Sequence, residues 1–417
     1  MRIGYACLTV GVLETNFKSC MVKNSNEKKL LEIIEYNLKS LNNIIDYNIE
    51  NNIKLFRISS DLIPFGSSSV NNIPWWEVFS SQISSIGSKI READMRVSMH
   101  PGQYTVLNSP NEDVVLRAIQ DLNYHNRILD SLGMDRKSKI ILHIGGVYNN
   151  KEKAIKNFIS NFQLLAQEIK ERLVIENDHK SYNIGEALEI GRTLNIPVVF
   201  DNLHNEVLPC DISKDDQYWI RQCKETWEKE DGPQKIHYSQ QDKGKRSGAH
   251  SNTIEIEQFM NFVGKIDDNI DIMLEVKDKN LSAVKCINSI SKSKKIKALE
   301  VEWSKYKYNI LEHSHLHYNK IREILKNKNE YPVIEFYKLI EEALNIEETI
   351  GSTVNAVLHI WGYFKSTATE DEKSKFIKLL KSYEEGKKPK DSLKKFLGKL
   401  AFKYEEYYLL NSYYFYL

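Results

Sequence analysis

His100, His143, Glu176, Asp201, His204, His237, His250 and Glu275 are the side chains of this chain whose types and placement could do chemistry. Imidazole and carboxylate groups without thiolate are ligands for Zn²⁺ or Mn²⁺ rather than for Mg²⁺, which prefers oxygen and keeps its water. One histidine at the end of a strand is usually a hydrogen-bonded structural residue. Here five of the seven histidines before residue 300 fall at the ends of short β-rich runs or in the loops after them, while His125 lies in a helical pattern and His179 in a loop. Such gathering on one side of a fold predicts a polynuclear metal site.

The elements that must position these residues alternate. The sequence predicts eight strands, Arg2 to Cys7, Ile53 to Ile58, Met95 to Met99, Lys139 to His143, Arg172 to Glu176, Pro197 to Asp201, Gln234 to Tyr238 and Asp271 to Val276. Amphipathic stretches such as Glu27 to Asn51, Asp113 to Leu132 and Glu152 to Lys170 separate them, which is the pattern of repeated βα units and a parallel sheet. Eight units of this kind close into a TIM (β/α)8 barrel, whose chemistry sits at the C-terminal ends of the strands. The run Ser291 to Lys297, rich in Ser and Lys, marks a boundary, with the barrel expected over 1–297 and an α-helical domain over 298–417. In that second domain Lys and Tyr interleave, as in Glu405-Glu406-Tyr407-Tyr408, a pattern read as packing in preference to stacking on bases. Of Glu312-His313-Ser314-His315-Leu316-His317, only His313 and His317 would share a helix face, so the tract is read as helix surface.

Composition narrows the class. Fifty-eight Lys and Arg against 57 Asp and Glu give a net charge of +1, so any contact with a polyanion must be a local patch. Cys7, Cys20, Cys210, Cys223 and Cys286 contain no CxxC pair, which argues against a zinc knuckle or a disulfide framework and fits a reducing cytoplasm. No apolar run approaches a membrane span, and no GxxxxGK[ST] loop is present, so neither a membrane nor a nucleotide cofactor is expected. The protein is expected to be a monomer.

Longer stretches carry a resemblance. Phe56-Arg57-Ile58-Ser59-Ser60-Asp61-Leu62-Ile63-Pro64-Phe65, Ser98-Met99-His100-Pro101-Gly102-Gln103-Tyr104, Leu142-His143-Ile144-Gly145-Gly146, Ile175-Glu176-Asn177-Asp178, Phe200-Asp201-Asn202-Leu203-His204 and Ser239-Gln240-Gln241-Asp242 running on to Gly248-Ala249-His250 are similar to the UV damage endonucleases over residues 1 to about 290. The resemblance implies about three divalent ions per chain: one held by His100, His143 and Glu176, a second by Glu176, Asp201, His237 and Glu275, and a third by His204, His250 and a modified Lys235. The arrangement is similar to that of endonuclease IV, an abasic-site enzyme. An ammonium beside divalent cations is unfavourable, whereas a carboxylated Lys235 is anionic and can ligate; the alternative is a plain lysine that contacts phosphate. Glu176, Lys235 and Glu275 are the implied catalytic groups.

The same resemblance makes Gln103-Tyr104 a wedge that probes the duplex, against the alternative of an exposed loop aromatic, and makes Tyr5 a lesion-pocket residue. Lys243, Lys245 and Arg246 supply charge for the DNA backbone or form a solvated loop. Where the family often has a histidine after Pro64-Phe65, this chain has Gly66-Ser67-Ser68-Ser69. The implied partner is UV-damaged double-stranded DNA, and the implied reaction is metal-assisted incision 5′ to cyclobutane dimers and 6-4 photoproducts. An abasic-site endonuclease or a sugar isomerase or epimerase on the same barrel, and a non-catalytic DNA-binding protein, are the competing readings.

Overall fold

The computed structural model describes all 417 residues, which divide into two compact units. The first comprises 1–9, 13–254 and 261–284, and the second 10–12, 255–260 and 285–417. The division starts the helical unit at 285, before the expected boundary, and the long helix Ile296–His313 itself opens two residues ahead of 298. The Ser- and Lys-rich run reads as a linker, but part of it is already helical.

In the first unit eight parallel strands close in sequence order: β1 (Arg2–Ala6), β2 (Leu55–Ile58), β3 (Arg96–Met99), β4 (Ile140–His143), β5 (Leu173–Glu176), β6 (Val198–Asp201), β7 (Lys235–Tyr238) and β8 (Asp271–Leu274). β1 pairs with both β2 and β8, which shuts the barrel. Gly4 allows that closure, because a Cβ there would lie 2.0 Å from the Leu55 carbonyl oxygen. Each strand is shorter than its predicted run.

Between strands the apolar stripes form helices as expected, for example Glu27–Glu50 and Glu112–Ser131. Asn26 caps the first by accepting from the Lys29 backbone N–H, and Asn111 caps the second from Asp113. The stretch from Glu152 to Lys170 is two helices, Lys151–Phe162 and Gln167–Arg172. Phe158, Phe162, Leu165 and Ile169 are all buried and keep helical spacing across the break, so periodicity alone reads through it.

The barrel interior is layered. Ala6, Leu55 and Met273 pack together, as do Ile141, Val174 and Val199. Residues two apart on a strand face the same way, so Arg57, His143, Glu176, Asp201 and Glu275 stand directly above Leu55, Ile141, Val174, Val199 and Met273. On β7 the residue beneath His237 is Lys235.

The second unit is helical: Ile296–His313, His315–Ile324, Val333–Leu344, Ile350–Trp361, Glu370–Glu384, Lys390–Lys403 and the short Tyr407–Leu410. Its core holds Val357, Ile360, Trp361, Phe364, Phe376, Leu397 and Leu400, with the Trp361 and Phe376 rings stacked 4.1 Å apart. The histidine tract is split, because Ser314 ends one helix and caps the next by accepting from the His317 backbone N–H. No helix of the structure is long and apolar enough to cross a membrane.

Candidate metal centre

The predicted ligands converge at the C-terminal rim on Glu176, a fully enclosed carboxylate at the end of β5. Its Oε2 lies 3.2 Å from His100 Nε2 and 3.9 Å from His143 Nε2, and its Oε1 lies 2.8 Å from His237 Nδ1 and 3.7 Å from His204 Nδ1. Glu275 extends the group, 3.4 Å from His237 and 3.7 Å from His250. Asp201 Oδ1 is 3.8 Å from His204 Nδ1 and accepts the His204 backbone N–H at 2.8 Å, capping the helix Asn202–Val207. Strand ends, one helix cap and one loop thereby bring residues far apart in sequence to one mouth.

Two sets of atoms have the spacing of ligands. His100, His143 and Glu176 form one, and Glu176, Asp201 and His237 the other, each with its donor atoms within 4.8 Å of one another. The donor chemistry fits divalent cations, and so do the orphans: Asp201 Oδ2, His237 Nε2 and His143 Nδ1 are buried with no hydrogen-bond partner. Two of the three predicted ligand sets are thus assembled in whole or large part. The third is not: His204 sits with Asp201 and Glu176 and His250 with Glu275, whereas Lys235 Nζ has no hydrogen-bond partner. Strand periodicity is the reason, since Lys235 lies one repeat deeper than His237 on the same inner face of β7.

Electrostatics agree with a cation site. Burial first, then the neighbouring His100 and His204 imidazoles, hold the His143 imidazole down to about 4 against the pull of Glu176, which favours the neutral form that can ligate. Burial also disfavours the His204 imidazolium, but Asp201, Glu176 and Glu275 outweigh it and push that group up to about 9. A pocket that keeps a proton on an enclosed imidazole has negative charge to spare. His204 Nδ1 meets the Asn177 carbonyl at 2.8 Å, which orients the ring and leaves Nε2 available. Burial raises Asp201 from its ordinary value. Glu275 is lowered despite its burial because Arg57 Nη1 lies 2.5 Å from it. Lys235 is held well below an ordinary lysine by burial first, then by Arg96.

Arg57, Asn177 and His179 were legible only as parts of motifs or loops. Arg57 stands at the end of β2, a rim position that should have marked it; the His179 ring lies 5.3 Å from that of His204. His125, expected as a plain helical residue, is fully buried and meets Ser60 Oγ at 2.8 Å, and Ser60 in turn donates to the His100 carbonyl at 3.1 Å.

The predicted DNA-facing residues separate into two groups. Gln103 and Tyr104 project from the loop after β3, with Tyr104 69% exposed, and the loop's far end is pinned where Thr105 Oγ1 donates to Asp121 Oδ2 at 2.6 Å. Lys243, Lys245 and Arg246 are exposed on a loop that leads to His250 and is clasped by a bridge between Gln241 and His250. Tyr5 departs from its expected role. It is fully buried, its ring 5.2 Å from that of Phe56 and its hydroxyl donating to Asn48 Oδ1 at 2.8 Å. The alternation that turns Gly4 and Ala6 inward turns Tyr5 outward under the helix Glu27–Glu50, away from the rim's interior.

Comparison with known proteins places this geometry. The family described as UV-endonuclease UvdE matches residues 1–307, and one described as a protein of unknown function (DUF1722) matches 307–417. The UV DNA damage endonuclease of Clostridium perfringens is 41% identical over 426 residues, covering 99% of this chain and all of that one. A UV DNA damage endonuclease of Bacillus cereus is 33% identical over 311 residues, covering 72% of this chain and 97% of that protein. The crystal structure of SacUVDE superposes with a TM-score of 0.66 at 38% identity, over 70% of this chain and 98% of that one. With a family match over most of its length and a full-length relative besides, the chain belongs to the UV-endonuclease UvdE family.

Proposed function

We propose that this chain is a DNA repair endonuclease that cuts the backbone 5′ to cyclobutane pyrimidine dimers and 6-4 photoproducts, leaving a 3′-hydroxyl. The observation that carries the reading is the convergence of His100, His143, His204, His237, Asp201 and Glu275 about Glu176 at the mouth from which Gln103 and Tyr104 project. His100, His143 and Glu176 would hold one cation and Glu176, Asp201, His237 and Glu275 a second, with His204 and His250 beside them. Mn²⁺ or Zn²⁺ held there, about three per chain in the full set, would supply positive charge to the scissile phosphate and favour ionisation of water for in-line displacement.

The chain's own residues do the rest. Arg57 fixes Glu275, and Asn177 orients His204. Lys235 is enclosed and burial weakens its hold on a proton, which favours uptake of CO₂ by the free amine with release of one proton, and the carbamate would reach up from the layer below toward His204 and His250. Glu176, Glu275 and carboxylated Lys235 are the groups assigned to catalysis. A dimerised pyrimidine pair stacks poorly and costs less to unstack than normal bases, so Gln103 and Tyr104 can fill the gap it leaves, and distortion sets specificity. Lys243, Lys245 and Arg246 contact phosphates. The partner is UV-damaged duplex DNA, and the unit of action is the monomer in the cytoplasm.

Purified protein with Mn²⁺ is incubated with irradiated and unirradiated supercoiled plasmid. Nicking confined to the irradiated plasmid is the expected result. Equal nicking of both, or none, overturns the reading, and nicking of abasic plasmid alone would assign the site to the related abasic-site reaction.

A further inference from the structure

The helical unit carries a concentration of charge that the site does not use. Between Lys373 and Lys403 eleven lysines stand against Glu384, Glu385 and Asp391, a net +8 in a chain whose total is +1. Six of these lysines are engaged: Lys373 with Glu370, Lys381 and Lys387 with Glu385, Lys390 with Glu348, Lys394 with Glu312 and Lys403 with Glu372. Lys375 lies over the Phe396 ring. Lys378, Lys388, Lys395 and Lys399 are exposed and have no acidic group within 4 Å.

Their placement follows from how the two helices pack. In Lys390–Lys403 the buried residues Leu393, Phe396, Leu397, Leu400 and Ala401 form one stripe, which leaves Lys395, Lys399 and Phe402 at four- and three-residue spacing on the opposite side. In Glu370–Glu384 the core takes Phe376, and Ile377 and Lys378 face solvent beside Lys381. Lys388 stands in the turn between the helices. Phe402, 70% exposed, shares that side of the helix, and the same unit also exposes Tyr407 at 64% and stacks Tyr408 on Tyr363 at 6.0 Å with Lys307 Nζ 4.7 Å from its ring.

Surface lysines that no acid neutralises repel one another, and a row of them is relieved by a partner with regularly spaced negative charge. A membrane would need the apolar stripe of these helices, but that stripe is turned into the unit's own core. A nucleic-acid strand asks only for cations along its backbone and an occasional ring against a base. We infer that Lys378, Lys388, Lys395 and Lys399, exposed and turned away from the unit's core, are a sequence-independent docking surface for the phosphate backbone of DNA, holding the protein on undamaged duplex. The choice of DNA among polyanions rests on the endonuclease reading; the binding itself is measured without incision.

The test uses the full chain in EDTA, where no cleavage is possible, and follows binding to a labelled undamaged duplex as salt rises from about 50 to 200 mM. The variant carries Lys378→Gln, Lys388→Gln, Lys395→Gln and Lys399→Gln, and a matching Lys→Arg set keeps the charge. Each lost phosphate contact lowers the slope of log affinity against log salt by about 0.9, so four lower it by roughly 3 to 4. The expected result is that fall in the glutamine variant, a wild-type slope in the arginine variant, and unchanged thermal melting in both. An unchanged slope in the glutamine variant overturns the inference, as does loss of binding to anionic phospholipid vesicles with duplex binding intact. Failure of the plasmid assay would refute the endonuclease reading and leave this slope as measured.

Discussion

Replacing Lys235 with Met separates two things the barrel asks of one position. On β2, β4, β5, β6 and β8 the side chain beneath the rim residue is Leu55, Ile141, Val174, Val199 or Met273, and only on β7 is it charged. Lys235 is fully enclosed, and its Nζ has no hydrogen-bond partner. A buried polar group left unsatisfied costs about 1–3 kcal/mol, and Met is close to Lys in length and already occupies the corresponding place on β8. Lys235→Met is therefore expected to stabilise the barrel by about 1–3 kcal/mol in chelator without bicarbonate, read from hydrogen exchange of the β7 amides. With Mn²⁺ and bicarbonate present the same variant is expected to lose incision and part of its bound metal, because a carbamate on Nζ would complete the His204 and His250 set. Destabilisation by more than about 1 kcal/mol in chelator would show that the amine has a favourable partner, refuting the argument from burial. Full incision and full metal content in the variant would refute the carbamate.

Three further outcomes are expected. His143→Ala and Glu176→Gln should each abolish incision and lower the metal-to-protein ratio, and normal values in both would sink the cluster as assigned. Gln103→Ala with Tyr104→Ala should keep the metal content while narrowing the difference between irradiated and unirradiated plasmid; an unaltered ratio would deny the loop its probing role. Burial raises Asp216 from 3.8 to about 6, so the folded state binds a proton the unfolded chain has released, and stability falls as pH rises through that window. Asp216→Asn should therefore stabilise by on the order of 1–2 kcal/mol above pH 6, after discounting for solvent screening, and by nothing below about pH 4. Equal gains at both pH values in urea unfolding would contradict the sign.

The barrel was legible because its strands end where the metal-competent residues begin, and because parallel βα units give a helical stripe after every short β run. Positions along a strand were less legible than its existence. Lys235 and His237 look equivalent in sequence, yet two residues separate a rim ligand from an interior layer. The pocket role of Tyr5 is implied by the family resemblance alone, but its parity on β1 places it among the helices, and parity becomes certain only when the register to Leu55 and Met273 is known. Arg57 was passed over because an arginine is not a ligand, although its charge is what holds Glu275 ionised. The breaks at Gln163 to Ala166 and at Ser314 are hidden in the sequence for different reasons: apolar spacing continues across the first, and a good cap sits in the middle of a helical run in the second.

The stretch from His100 to Thr105 is fastened at each end to the helix Glu112–Ser131: through Ser60 and His125 behind His100, and through Asp121 at Thr105. Six successive residues are so anchored, with His100 of the candidate metal centre at one end and the exposed Tyr104 beside the other. A duplex that deflected Tyr104 would tug on the His100 imidazole, and an ion held by that imidazole would stiffen the loop. On the proposed function, sensing of the lesion and readiness to cut would in this way be joined across four residues, with no domain required to swing.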